Sequence, residues 1–188
     1  SSLNILGSYA VAAFTAGSKI ESIFTQAFVA IGTAMSTYNA QNIGARKLDR
    51  VRKGFRSADV IGCTYGVLVG FILFFVGKYF AYLFISDNAE VVIPMVETYL
   101  QCVGMFMIPL YVVNSYRNGF QGMGYGLLPM LSGVAELVGR GIMAIVASNK
   151  KSYTMACMAS PFAWIVATVL LIGLYFYVMK DMKKKLCL

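Results

Sequence analysis

The chain has 188 residues, of which 59% are hydrophobic and 13% charged, with a net charge of +8 and no histidine. A soluble domain carries about 25% charged residues, and one of this length could not cover so much apolar surface with the polar surface available. A soluble enzyme and a disordered chain are both excluded, which leaves an integral membrane protein. At about 20 apolar residues per crossing helix, there is room for about five crossings.

The first predicted span, 8–42, carries Lys19, Glu21, Gln26, Asn39 and Gln41 and is the least apolar. Its polar residues fall in register. Lys19, Ser22, Gln26, Thr33, Thr37 and Gln41 are separated by steps of 3, 4, 7, 4 and 4, one stripe of a helix. A helix polar along one stripe suits a wall beside a water-filled cavity. The second span, 57–77, contains VLVGFILFFVG and ends before Lys78. Gly62, Gly66 and Gly70 form a small-residue stripe on it, a surface for close helix packing.

The third span, 94–116, opens on Pro94 and has Pro109 in its middle, which predicts a kink. Asn114, Arg117 and Asn118 share a face at its far end, either a polar gate or a helix end meeting water. GMGYG, residues 122–126, predicts a turn rather than a phosphate cradle, since its flanks are membrane helices and not a strand. The fourth span is 127–147. The fifth, 159–179, is expected to take Ser160 as N-cap before Pro161 and to end in the basic tail KDMKKK.

Eleven basic residues lie on one side of this arrangement and three on the other, with Lys19 and Arg140 inside spans. The bias places the chain start outside and the C-terminus in the cytoplasm, and it explains the net charge without nucleic acid as a partner. Cys63, Cys102, Cys157 and Cys187 lack the short spacings of a zinc site or a disulfide framework. The start at Ser1, with no leader-like segment, reads as part of something longer.

An ionised group at mid-bilayer costs about 2.5–3.5 kcal/mol on insertion scales, so charges within spans are functional candidates. Glu136 and Arg140, four apart, share a helix face with Ser132 and can pair directly. They are either a permanent ion pair or a coupling carboxylate whose protonation or change of partner accompanies transport. Lys19 joins the polar stripe or reaches for the outer interface. Glu21 points about 160° away from it and needs a partner on another helix or a place near the headgroups.

The run YAVAAFTAGSKIESIFTQAFVAIGTAMSTYNAQNIGARKLDRVRKGFR resembles the start of the C-terminal lobe of multidrug and toxic compound extrusion (MATE) transporters. Its most specific piece is AQNIGARKLDRVRKGF, residues 40–55. Supporting pieces are LFISDNAEVVIPMVETYL, 83–100, and SYRNGFQGMGYGLLPMLSGVAELVGR, 115–140, with its Arg-Asn-x-x-Gln-Gly-x-Gly and Glu-Leu-x-x-Arg stretches. The resemblance implies a twelve-helix efflux pump of two lobes that exchanges organic, often cationic drugs for H⁺ or Na⁺ by alternating access. The five spans would be helices eight to twelve, with helix seven and the first lobe missing from the chain. A cation-linked carboxylate found in several branches, in helix seven or in the counterpart of the third span, has no match here beyond Glu97 near that span's outer end.

The expectation is therefore an all-α polytopic membrane helix bundle, one transmembrane domain over 1–188, in the plasma membrane. It would act as a multidrug antiporter with no cofactor beyond its coupling ion, H⁺ or Na⁺. Glu136 and Arg140 are the ion-coupling candidates. Lys19, Gln26, Thr33, Thr37, Gln41, Asn114, Arg117 and Asn118 are the cavity-lining ones. Expected partners are lipid, drug-like organic molecules and the missing N-terminal lobe. The nearest rival is a lipid-linked saccharide flippase of the same superfamily, whose cavity should hold several cations for a pyrophosphate. A non-transporting membrane scaffold is the rival from another class, and a membrane enzyme lacks the residues for its chemistry.

Overall fold

The computed structural model describes residues 7–83, 85, 88–150 and 152–187. Helices account for nearly all of them, and no strand occurs among the described residues. Lipid offers backbone groups no hydrogen-bond partner, so a chain this apolar satisfies them within helices. Three helical stretches are long and apolar enough to cross a membrane: Leu48–Phe75, Leu127–Lys150 and Tyr153–Lys185. A bent pair, Ala89–Gly104 with Met107–Gly122, makes a fourth if counted as one span. The protein is an all-α membrane helix bundle.

Helix α1 (Ser8–Gly44) follows the predicted first span closely and runs 37 residues, about 55 Å at 1.5 Å per residue. Helix α2 (Leu48–Phe75) starts nine residues before the predicted second span. Its first turns carry Arg50, Arg52, Lys53 and Arg56, which the sequence analysis placed in a loop. The reason lies on the opposite face, where Leu48, Val51, Phe55, Ala58 and Gly62 are all buried at helical spacing. A short helix α3 (Gly77–Ala81) continues from it.

The third predicted span divides in two. Helix α4 (Ala89–Gly104) contains Pro94 in its interior rather than at its start. It breaks at Met105 and Phe106, and α5 (Met107–Gly122) leaves at 55°. Pro109 accounts for the break: a proline ring collides with the carbonyl four residues earlier, here that of Met105. Pro109 itself then sits in the first turn of α5, where its missing N–H needs no partner. Gly104 and Gly70 bring the break against α2, since a Cβ on Gly70 would stand 2.6 Å from the Gly104 carbonyl oxygen. Gly62 and Gly66 face Tyr111 and the Met107–Ile108 backbone, so the predicted stripe serves close packing throughout.

A turn follows α5, with Gly124 at φ +88. Helix α6 (Leu127–Lys150) matches the fourth predicted span. The short helix α7 (Tyr153–Cys157) leads into α8 (Ala159–Lys185), whose N-cap is Met158 and not Ser160. Helix α8 carries on through Lys183, Lys184 and Lys185, so the basic residues form its last turn, where cations favour the helix dipole. Tyr125, in the turn after α5, donates to Asp181 of α8, which Lys185 pairs at 2.7 Å. Burial and that bond push the Tyr125 hydroxyl up to about 12.

Helix α5 is the hub. It packs on α1, α2, α6 and α8, and α6 is held on its other side by α8. A Cβ on Gly122 would lie 2.0 Å from the Ser36 carbonyl oxygen, so α1 and α5 cross in near backbone contact.

Candidate functional site

The predicted stripe on α1 is open. Lys19, Ser22, Gln26, Thr33, Thr37 and Gln41 are all exposed, whereas Ala16, Ile20, Phe28, Met35 and Asn39 are buried on the packed side. Thr33 and Thr37 donate to the carbonyls of Val29 (3.0 Å) and Thr33 (3.3 Å), which satisfies their hydroxyls within the helix. Asn39 does not join the stripe. It is fully buried and donates from Nδ2 to the Gly119 carbonyl at 3.1 Å.

Asn114 and Asn118 of α5 lie beside α1 at Gly32, where a Cβ would meet the Asn118 amide nitrogen at 2.8 Å. Arg117, between them, turns to α6. Its Nη2 donates to Glu136 Oε1 at 2.9 Å, and its Nε donates to Ser132 Oγ at 2.9 Å. The Ser132 hydroxyl donates in turn to the Pro129 carbonyl at 2.7 Å. Arg140 reaches the other Glu136 oxygen at 3.7 Å.

The predicted Glu136–Arg140 pair is thus present, but a second arginine, Arg117, expected to line a cavity, makes the closer contact. Side-chain exposures of 14% for Glu136, 29% for Arg117 and 48% for Arg140 rank the three from inside to outside. The guanidinium planes of both arginines suit a carboxylate shared between helices.

Two further carboxylates have hydroxyl partners. Glu21 of α1 accepts a hydrogen bond from Tyr99 of α4. Gly17, one turn earlier, makes room for that ring: a Cβ there would stand 2.4 Å from Tyr99 Cδ1. Asp59 of α2 accepts from Tyr111 at 3.1 Å and from Tyr116 at 3.0 Å, both on α5. Ser115 Oγ lies 3.2 Å from the Tyr111 hydroxyl.

Sequence reasoning passed over Asp59. It falls two residues inside the predicted second span, beside a basic stretch that read as loop, and only the apolar periodicity starting at Leu48 would have moved it deeper.

The polar groups thus lie in three places: the stripe on the face of α1 opposite its packed residues, the two asparagines on α5 beside Gly32, and Glu136 with its arginines between α5 and α6. Two surface grooves, each of about 360 Å³, lie elsewhere. One runs between α2 and the α4–α5 break and is lined by Phe71, Phe74 and Met105, among others. The other lies between α1 and α2, beside Tyr38 and Lys53.

A sequence model of the MatE family matches residues 1–146, more than three quarters of the chain. The chain belongs to the MatE family. No curated protein matches it. Membership makes it part of a membrane transporter of the MATE superfamily, and the apolar helices make it a multi-pass membrane protein. The matched segment takes in the whole α1 stripe, the α5 asparagines and the Glu136–Arg140 segment of α6.

Proposed function

We propose that this MatE chain is one lobe of a multidrug antiporter of the plasma membrane, which exports organic, often cationic compounds in exchange for H⁺ or Na⁺. Helices α1, α2, α4–α5, α6 and α8 would be the five crossings, with α1 beginning outside and α8 ending in the cytoplasm. The open stripe of α1 would wall a cavity closed by a second lobe, because repeat-built transporters bind substrate where their halves meet.

The observation that carries this reading is the polar stripe left open along α1, on a chain that also holds a largely buried carboxylate, Glu136, within the bundle. Polar positions along a wet wall accommodate varied ligands, and a carboxylate among them favours cations. Glu136 and Arg140 would take part in coupling through a change of ion-pair partner. A flippase holding a pyrophosphate would need several cations free to bind it. Arg117 is spent on Glu136 and Ser132, which favours drug antiport over that alternative.

The test is drug-coupled ion flux in proteoliposomes holding the complete transporter. Drug added on one side is expected to draw H⁺ or Na⁺ across the membrane toward that side. The absence of flux under either gradient would overturn antiport.

A further inference from the structure

We infer that the groove between α1 and α2 binds one anionic phospholipid, with an acyl chain along Ile31, Ala34, Met35 and Ile61 and the phosphate held by Lys53 and Arg50. The inference needs α2 to cross the membrane and does not rest on the antiport reading.

The two helices run antiparallel on either side of a short connection, residues 45–47. From Tyr38 to Ile31, and from Lys53 to Ile61, the groove follows each helix for about two turns, about 11 Å at 1.5 Å per residue. Its lining is graded. One end is apolar, Ser57 follows, and Tyr38 with Lys53 closes the end nearer the connection. Gly54 seats the Tyr38 ring there, since a Cβ would stand 2.4 Å from Tyr38 Cε1, and the Tyr38 hydroxyl donates to the Arg50 carbonyl at 3.2 Å. Ile61 is exposed on its open side, so a chain can enter from the bilayer.

Charge selects the occupant. Arg50, Gly54, Ser57 and Ile61 follow by steps of 4, 3 and 4, which puts Arg50 on the helix face that forms the groove, one turn beyond Gly54. Arg50 and Lys53 are both exposed, and neither has an acidic partner among the described residues. The neighbouring Asp49 pairs instead with Arg52, at 3.7 Å. A lysine whose stem lines apolar surface suits the boundary between hydrocarbon and headgroup, and an arginine beside it matches a phosphate. Basic pockets between membrane helices take anionic headgroups for these reasons. A soluble phosphate would use only the cationic end and leave the apolar end empty. The groove beside the α4–α5 break has no charged residue among its described lining and offers a headgroup nothing.

The test is photocrosslinking of the complete transporter in phosphatidylcholine vesicles that hold a small fraction of phosphatidylglycerol with a diazirine in its acyl chain. Adducts mapped by mass spectrometry are expected on 31–38 and 53–61, in excess over the exposed Leu131, Val134 and Val138 of α6. Unlabelled phosphatidylglycerol should compete them away, and added phosphatidylcholine should not. Lys53→Gln and Arg50→Gln should each lower the yield about fivefold, the worth of one cation beside an anionic membrane surface. Ala34→Phe, which fills the apolar end without touching charge, should lower it too. Arg56→Gln removes the same charge outside the groove lining and should leave the yield unchanged. An equal loss in Arg56→Gln, a yield indifferent to Lys53 and Arg50, or labelling no denser than on α6 would overturn the proposal. The crosslinking needs neither drug nor flux, so failure of the antiport reading would show separately in the proteoliposome measurement.

Discussion

Glu136 and Asp59 both reach α5 from a neighbouring helix, and they are held there by opposite means. Glu136 is tied by charge: Arg117 at 2.9 Å and Arg140 at 3.7 Å. Asp59 is tied by two phenols at 3.0 and 3.1 Å, with no basic residue in contact among the described residues. The first is a bridge between ions, strong only while both are charged, and leaving either ion alone in a low-dielectric site is costly. The second is a set of neutral donors with large apolar rings, which adds packing to hydrogen bonding. The ionic tie lies between α5 and α6 and the phenolic tie between α2 and α5, where Tyr175 packs edge to face on both Phe55 and Tyr116. A moving α6 would need a tie that can exchange partners, whereas a fixed α2–α5 pair would need one that cannot.

The largest effect is expected from removing the inner arginine. Arg117→Ala leaves Glu136 with one loose partner and Ser132 with no donor from α5. About 3 kcal/mol of stability should be lost, the low end for a broken buried pair because Arg117 is partly exposed. Thermal unfolding in detergent would check it. Arg117→Lys should recover only part of the loss, since one ammonium lacks the fork that reaches both Ser132 and Glu136.

On the phenolic side, Gly62→Ala should cost about 2 kcal/mol, in the range for overpacking a filled site. Its new Cβ would stand 2.0 Å from the Tyr111 ring and push the hydroxyl off Asp59. Pairing it with Tyr111→Phe would show, in a double-mutant cycle, how much of that loss is the hydrogen bond.

Tyr116→Phe should cost about 1 kcal/mol, the net worth of one hydrogen bond, and leave the ring packing in place. Arg140→Gln should be the mildest of the four, below about 1 kcal/mol, because its contact is long and half-exposed. A loss from Arg140→Gln as large as that from Arg117→Ala would erase the distinction between inner and outer arginine.

Much of this arrangement is legible in the sequence. Runs of apolar residues mark four spans, and the steps of the α1 stripe place six polar side chains on one open face, as the structure shows. The break in the third span follows from Pro109 once its clash is counted back four residues to Met105. The start of α2 was also within reach, because Leu48, Val51, Phe55 and Ala58 keep helical spacing through the basic stretch.

What remained hidden depends on contacts between helices. The sequence displays the i, i+4 pair of Glu136 and Arg140, but the stronger partner, Arg117, lies on another helix nineteen residues away. Tyr99, Tyr111 and Tyr116 read as apolar filler until the fold sets their hydroxyls against carboxylates. Gly17 and Gly62 make that possible, and a glycine's role as a seat for a distant ring has no signature in local sequence.

The central claim is that the α1 stripe lines a wet, drug-accessible cleft. The most direct measurement is labelling by a water-soluble maleimide of single cysteines placed along α1 in the complete transporter, with Cys63, Cys102, Cys157 and Cys187 replaced by alanine. Cysteines at Gln26, Thr33 and Thr37 are predicted to label and to be protected several-fold by an organic cation, while those at Phe28 and Met35 stay unlabelled. Labelling without that periodicity, or stripe positions indifferent to the cation, would contradict the claim.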